Sequence, residues 1–346
     1  KTISNAWLLL VNLVISSNQS QFAKKFLIQT KKYELILKSL IQFNENNDKY
    51  LSNEHRLFSH YRVLSTLSTR HDDVATNLRD LDALSLCADR LELMFDRHEK
   101  GQEEEQEEQE EECKLKEKFL SFDFDELCYC EDLFYLVFSL TLIYGPLHTP
   151  KAAGFLVGQN GDGNANPQIC DKDMCTLARS LYLARVVSRM PPLSYAERST
   201  DRVKQRQHLT RTKALLCLSN TPVGPWAAQT LEKGVSAKPQ SDTLYLLNHL
   251  DELLKCSELQ LAHILTLLML LTRMIGLSDV ARAEAREVVF PAAKYAKEVL
   301  ASTTKQHDAV QQPYADEDTR ANRLIALLSN ANAGVCQTTQ QFLFQL

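Results

Sequence analysis

Residues Ala6 to Ser17 read AWLLLVNLVISS, an apolar run interrupted only by Asn12. The run is too short to cross a bilayer, which takes about 20 apolar residues, and too apolar all round for a helix with one face in water. It therefore predicts a core helix covered on most sides by other helices. Asn12 is the odd residue, because an amide in such a helix must find a partner or lose about 1–3 kcal/mol to desolvation. It either holds a neighbouring loop from within the core, or lies on the open face of a helical stack and grips the backbone of a bound peptide.

A second run, Asp132 to Tyr144 (DLFYLVFSLTLIY), has the same character. The 346 residues contain only ten Gly and ten Pro, and nearly every segment has helical rather than alternating periodicity. Both facts favour an all-α protein over a doubly wound sheet, which needs Gly-rich turns and Val/Ile-rich strands. The expected helices run over 1–17, 18–32, 33–44, 52–69, 72–79, 81–97 and 132–144, then 171–190 and 203–220. The ninth stops at Thr221-Pro222, since proline disfavours helical geometry in the residue before it. A short element begins at Trp226; 242–255 and 257–276 then form an antiparallel pair, with Ser257 as N-cap and Gly276 as stop. Helices over 278–287, 291–301 and 316–328 and one from Val335 complete the series. Sets of two or three helices per about 40–47 residues are the pattern of armadillo and HEAT arrays. The expectation is a single all-α, armadillo/HEAT-like solenoid over 1–346. Because it begins at Lys1 and stops inside the apolar FLFQL, it reads as a piece of a longer protein.

The formal charge of −5 is dominated by QEEEQEEQEEE at 102–112, whose eight glutamates, set aside, leave about +3 (−5 + 8) on the remainder. No basic stripe suited to nucleic acid is present. Like charges at this density repel and bury nothing, so 99–118 is expected as an acidic insertion, a solvated loop or a frayed helix. The segment 145–172 concentrates Gly, Pro and Asn and reads as a second insertion loop. Its Gly158, Gly161 and Gly163 lack the lysine and flanking elements of a phosphate loop, and NGDGN lacks the carboxylates of a calcium loop. Nine scattered cysteines read as reduced thiols of a cytoplasmic protein.

His55, His60 and His71-Asp72 superficially offer the metal set of an all-α phosphohydrolase. Positions five apart on a helix differ by about 140°, so His55 and His60 face different ways. His71-Asp72-Asp73 also sits where a helix start favours caps and negative charge. Cys128 and Cys130, and Cys170 with Cys175, have no matching second half of a metal site. No nucleophile elbow, Walker loop or dinucleotide fingerprint occurs. The expectation is a non-enzymatic interaction protein, with no metal and no cofactor.

Five segments carry a resemblance. TISNAWLLLVNLVISSNQSQ, with Asn12 at its centre, resembles a helix and turn of the synembryn family, the resistance-to-inhibitors-of-cholinesterase proteins. HRLFSHYRVLSTLSTR, from His55 to Arg70, is similar to the family's next inner helix, with Arg62 at its arginine. LFYLVFSLTL, from Leu133, is similar to a third inner helix, and ALLCLSNTP, from Ala214, to a fourth with Asn220 at the family's Asn before Pro. VVFPAAKY and NRLIALLSNANAGVCQTTQQFLFQL are similar to a later turn and the final helix. The matches occur in the family's order and cover most of the chain outside the two insertions. Ser139 stands where the family tends to carry asparagine, which leaves the asparagine ladder incomplete.

The resemblance implies a right-handed armadillo/HEAT superhelix that acts as chaperone and guanine-nucleotide exchange factor for monomeric, GDP-bound G-protein α subunits (Gα). The concave face would take the C-terminal helix of Gα, loosening the guanine pocket so that GDP leaves. It implies groove contacts from Asn12, Arg62 and Asn220; Arg273 and Arg323 are added on position alone. The partner would be Gα, met in the cytoplasm or at the plasma membrane by a monomer that neither inserts in a bilayer nor binds nucleic acid. The rival readings are a generic armadillo adaptor, such as a transport or heat-shock-chaperone cofactor scaffold, and the metal phosphohydrolase.

Overall fold

Asp123 starts the helix on which the first half of the chain is assembled. Its carboxylate accepts from the backbone N–H of Glu126 (2.8 Å), and the Glu126 carboxylate accepts from the N–H of Asp123 (2.8 Å). This reciprocal capping box satisfies two donors that a helix start otherwise leaves open. The expected helix over 132–144 therefore begins eight residues earlier, at Phe124.

The computed structural model describes residues 20–46, 58–69, 71–96, 105–141, 171–190, 193, 195–220, 242–255, 261–291 and 319–346. Among the described residues the structure is helical and without strands. By its contacts the chain, expected as one array, divides into two compact units: Lys1–His148 with Gly158–Thr221, and Thr149–Val157 with Pro222–Leu346. The opening run with Asn12 and most of the 145–172 insertion lie outside the described residues, as do Ser257 and Trp226.

In the first unit the helices are α1 (Ser20–Gln29), α2 (Lys32–Asn46), α3 (Phe58–Ser68), α4 (Asp72–Asp80), α5 (Ala83–Met94), α6 (Glu105–Ser121), α7 (Phe124–Thr141), α8 (Asp171–Ser188), α9 (Tyr195–Thr200) and α10 (Arg202–Asn220). α7 packs between α3 and α10, while α2, α5 and α8 pack in the same succession behind them. Each front helix also packs on its own back helix: α3 on α2, α7 on α5, and α10 on α8. Successive pairs that contact their neighbours in this way are compatible with an α-solenoid. Leu133, Phe134, Leu136, Val137 and Leu140 of α7 are fully buried, so the apolar run is the core of this unit. Arg179 of α8 ties the back layer together, donating to Asp89 (2.8 Å) and to Glu92 of α5.

The acidic insertion is not a loop from Glu105 onward. α6 is helical over 17 residues. Glu, Gln and Lys are strong helix formers, and the Glu110–Lys114 (2.8 Å) and Glu112–Lys116 (2.7 Å) pairs have the favourable i,i+4 order. Leu115 and Phe119 are buried, and Phe119 and Phe122 cluster with Phe95. Glu112 also receives Arg189, just beyond α8, at 3.0 Å.

The second unit comprises α11 (Asp242–Leu254), α12 (Leu261–Leu277), α13 (Asp279–Val289), α14 (Arg320–Ala326), a 3-10 turn (Leu327–Ser329) and α15 (Ala333–Gln345). α12 is its centre and packs on α11, α13 and α15, with Ile264, Leu267, Leu268, Leu271 and Ile275 fully buried. Gly276 does not stop this helix; it lies within the last turn. A Cβ there would sit 3.3 Å from the Gln345 side-chain oxygen, so the glycine permits close approach of α15. Ser278, Thr319 and Asn332 cap α13, α14 and α15 through their side-chain oxygens. No helix among the described residues is long and apolar enough to cross a membrane.

If α7 is the core of the first unit, Phe134→Ala should cost about 3–5 kcal/mol, read as a lowered urea midpoint. Leu209→Ala, at a side chain 38% exposed, should stay within about 0.5 kcal/mol.

Candidate functional site

α7 turns one strip of its surface away from the layer behind it. Phe124, Glu131, Tyr135 and Phe138 recur at helical spacing, and Tyr135 and Phe138 are half-buried with near-parallel rings 6.0 Å apart. On one side α3 supplies Arg62. On the other α10 supplies Arg206 and Lys213. The Lys213 ammonium lies 4.0 Å from the centroid of the Tyr135 ring, and the Arg206 guanidinium lies 5.1 Å from that of Phe124. The result is a ledge with aromatic rings along its middle and cations on both sides.

Two carboxylates of α7 place those cations. Arg206 donates to Glu131 (2.5 Å), which joins α10 to α7. The Nε of Arg62 donates to Oδ1 of Asp132 (2.9 Å), which joins α3 to α7. Asp132 is 3% exposed, and its second oxygen, Oδ2, is buried without a hydrogen-bond partner among the described residues. Burial pushes its carboxyl up to about 7, although the charge and hydrogen bond of Arg62 pull the other way. The Arg62 side chain keeps 28% of its surface exposed, and no other hydrogen bond or ion pair joins its guanidinium to a described residue. Deeper in the same seam Thr69 and Ser139 share a hydroxyl hydrogen bond of 2.7 Å. Ser139 is fully buried, so at that ladder position the side chain links α3 to α7 and does not reach the ledge.

Of the residues expected at a groove, Arg62 is on the ledge. Asn220 is the last residue of α10, the helix on the opposite flank of α7, and its side chain lies outside the described set, as does all of Asn12. Arg273 and Arg323 belong to the second unit. Arg273 is largely buried in α12, and burial lowers its pKa to about 10. Arg323 is held by Asp251 of α11 (2.6 Å), a carboxylate that Lys255 (3.0 Å) and Arg320 (3.5 Å) also approach. Burial disfavours the Asp251 charge, but Arg323, Lys255 and Arg320 hold it below the usual carboxylate range. The position-based expectation for Arg323 thus meets an intrachain clasp between α11 and α14.

Sequence reasoning missed Glu131, Asp132, Arg206, Lys213 and Tyr135. The signal was present in LCYCEDLFYLVF, where two adjacent carboxylates sit in an apolar helix and call for cations from neighbours. Of the three histidines, His60 is buried in α3, His71 is the N-cap residue of α4 with Asp72 and Asp73 in its first turn, and His55 lies outside the described residues. Cys128 and Cys130 are buried free thiols, and burial pushes Cys128 up to about 11. Among the described residues no group of three or more His, Cys, Asp or Glu is placed to hold a metal ion. Compared with known proteins, the chain matches no family model, and no curated protein matches it significantly.

Asp132 carries a pH signature. Its folded-state pKa lies near 7, above the ordinary 3.8, so the folded protein binds this proton more tightly than the unfolded chain. The corresponding stability is full below about pH 4 and is lost as pH rises through about 7. Asp132→Asn should therefore flatten a decline of order a few kcal/mol between pH 4 and 7, measured by urea unfolding across that range.

Proposed function

We propose that the chain is a helical-repeat binding protein whose ledge on α3, α7 and α10 takes a peptide segment, and that the segment is the C-terminal helix of a heterotrimeric G-protein α subunit. The observation that carries this reading is Arg62. It sits in the helix that resembles the second inner helix of the synembryn family, is anchored through Nε to Asp132, and offers its remaining edge to a carboxylate. The aromatic rings of Tyr135 and Phe138 suit the apolar face of an amphipathic helix. In the same reading the helix pairs belong to a right-handed armadillo/HEAT superhelix in the cytoplasm, drawn to the plasma membrane through Gα, and Asn12 and Asn220 add contacts to the peptide backbone.

The mechanism is non-covalent. Holding the C-terminal helix of Gα away from its nucleotide domain favours the conformation in which the guanine pocket is open, so GDP leaves and the nucleotide-free complex persists until GTP binds. A chaperone role follows from the same contact, because the protein prefers an incompletely closed Gα. A generic adaptor for acidic amphipathic helices is the second reading. The engagement of Arg323 by Asp251 favours it, since a side chain expected to contact Gα is already taken up inside the chain.

GDP release from a purified Gα subunit tests the first reading. The chain should accelerate release, and Arg62→Glu and Asn12→Ala should each lower the acceleration, Arg62→Glu by about tenfold or more. Unchanged release, with no binding of a Gα C-terminal peptide, would leave the adaptor.

A further inference from the structure

Asp132 is built for more than holding Arg62. A buried carboxylate with one oxygen hydrogen-bonded and the other without a partner is under-satisfied, and it depends on a single cation that reaches it through one N–H. That cation is also the group best placed to receive an anion at the ledge. Two carboxylates would then share one guanidinium, one of them in solvent-poor surroundings.

We propose that docking of an anionic group of the partner on Arg62 is coupled to uptake of a proton by Asp132. The inference rests on the peptide-binding reading of the ledge and adds the regulation of that site. An incoming carboxylate draws the guanidinium's field towards itself and adds a negative charge beside Asp132. The buried carboxylate responds by taking a proton from solvent, and its neutral form can remain in an apolar setting. The groups that act on Asp132 are Arg62 from α3, Arg206 from α10 and Glu131 from its own helix. Arg206 is already committed to Glu131, so it does not replace Arg62. On the elements behind α7, Asp89 and Glu92 of α5 are paired with Arg179 of α8, and neither the buried Arg90 of α5 nor Asp72, Asp73, Arg79 and Asp80 of α4 is among the charges that act most strongly on Asp132. Cys128, on the same side of α7, keeps its proton because its thiol is pushed up to about 11. Asp132 is thus the carboxylate beside Arg62 whose proton occupancy can change between pH 6 and 8, and affinity at the ledge should fall as pH rises through that range; the Asp132→Asn comparison separates it from the buried His60 of α3 and His208 of α10.

Calorimetric titration of the full chain with a synthetic Gα C-terminal peptide, in phosphate and in Tris buffer at pH 8, tests the coupling. The apparent enthalpies should differ by the buffers' ionisation heats times about half a proton per peptide, and the uptake should shrink towards zero below about pH 6. Affinity should fall several-fold between pH 6.5 and 8.5. In Asp132→Asn the heat of peptide binding should lose its buffer dependence and the affinity its pH dependence, whatever the loss in affinity itself. Equal enthalpies in the two buffers for the wild-type chain would overturn the coupling and leave the binding reading intact. Failure of the wild-type chain to bind the peptide at any of these pH values would overturn both. The two-buffer comparison on the wild-type chain decides the matter whether or not the variant folds.

Discussion

The contact on which the first unit depends is the burial of α7 between α3 and α10. An apolar helix of this length removes five fully buried side chains from water over Leu133–Leu140 alone, and each contributes on the order of 1.5–3 kcal/mol. Such burial is non-directional and would tolerate several rotations of one helix on another. Direction comes from the polar pairs at its edges: Arg62 with Asp132, Thr69 with Ser139, and Arg206 with Glu131. They fix which strip of α7 faces outward, and that strip is where recognition is proposed to occur. Stability and the proposed recognition therefore meet in the same few residues, and Asp132 belongs to both.

The second unit solves a similar problem with different parts. α12 is more apolar than α7 and is covered by α11, α13 and α15, so its orientation is set by side chains at its ends and on its neighbours. The Asp251 clasp holds α14 against α11, and Gly276 lets α15 approach α12 at a point where a larger residue would meet Gln345. Arg323 is consumed by the clasp. A cation near the end of a helix is therefore weak evidence for a ligand contact unless its nearest carboxylate is known.

The helical class was legible in the scarcity of Gly and Pro and in the spacing of Leu and Phe, and α3, α4, α8 and α10 begin or end within a few residues of where periodicity puts them. Two features were hidden for physical reasons. The Asp123–Glu126 capping box lies in a polar stretch, so apolar periodicity passes over the first two turns of α7. The acidic segment reads from charge alone as a solvated loop or a frayed helix, because the packing that holds α6 comes from Phe95, Leu115, Phe119 and Phe122, distributed over two segments. At the proposed site, the sequence singles out Arg62 only through the expected resemblance to a family helix. Its partner was not legible, since the pairing spans 70 residues of chain and only the fold brings the two together.

The open strip of α7, flanked by α3 and α10, is the proposed recognition surface. Hydrogen exchange of the full chain with and without a GDP-bound Gα subunit tests it most directly, because backbone protection reports the surface without requiring any substitution. Added protection should appear in peptides covering 58–69, 124–141 and 202–220, centred on Arg62, Tyr135 and Arg206. Protection confined to the second unit, or an unchanged exchange pattern at saturating Gα, would contradict it.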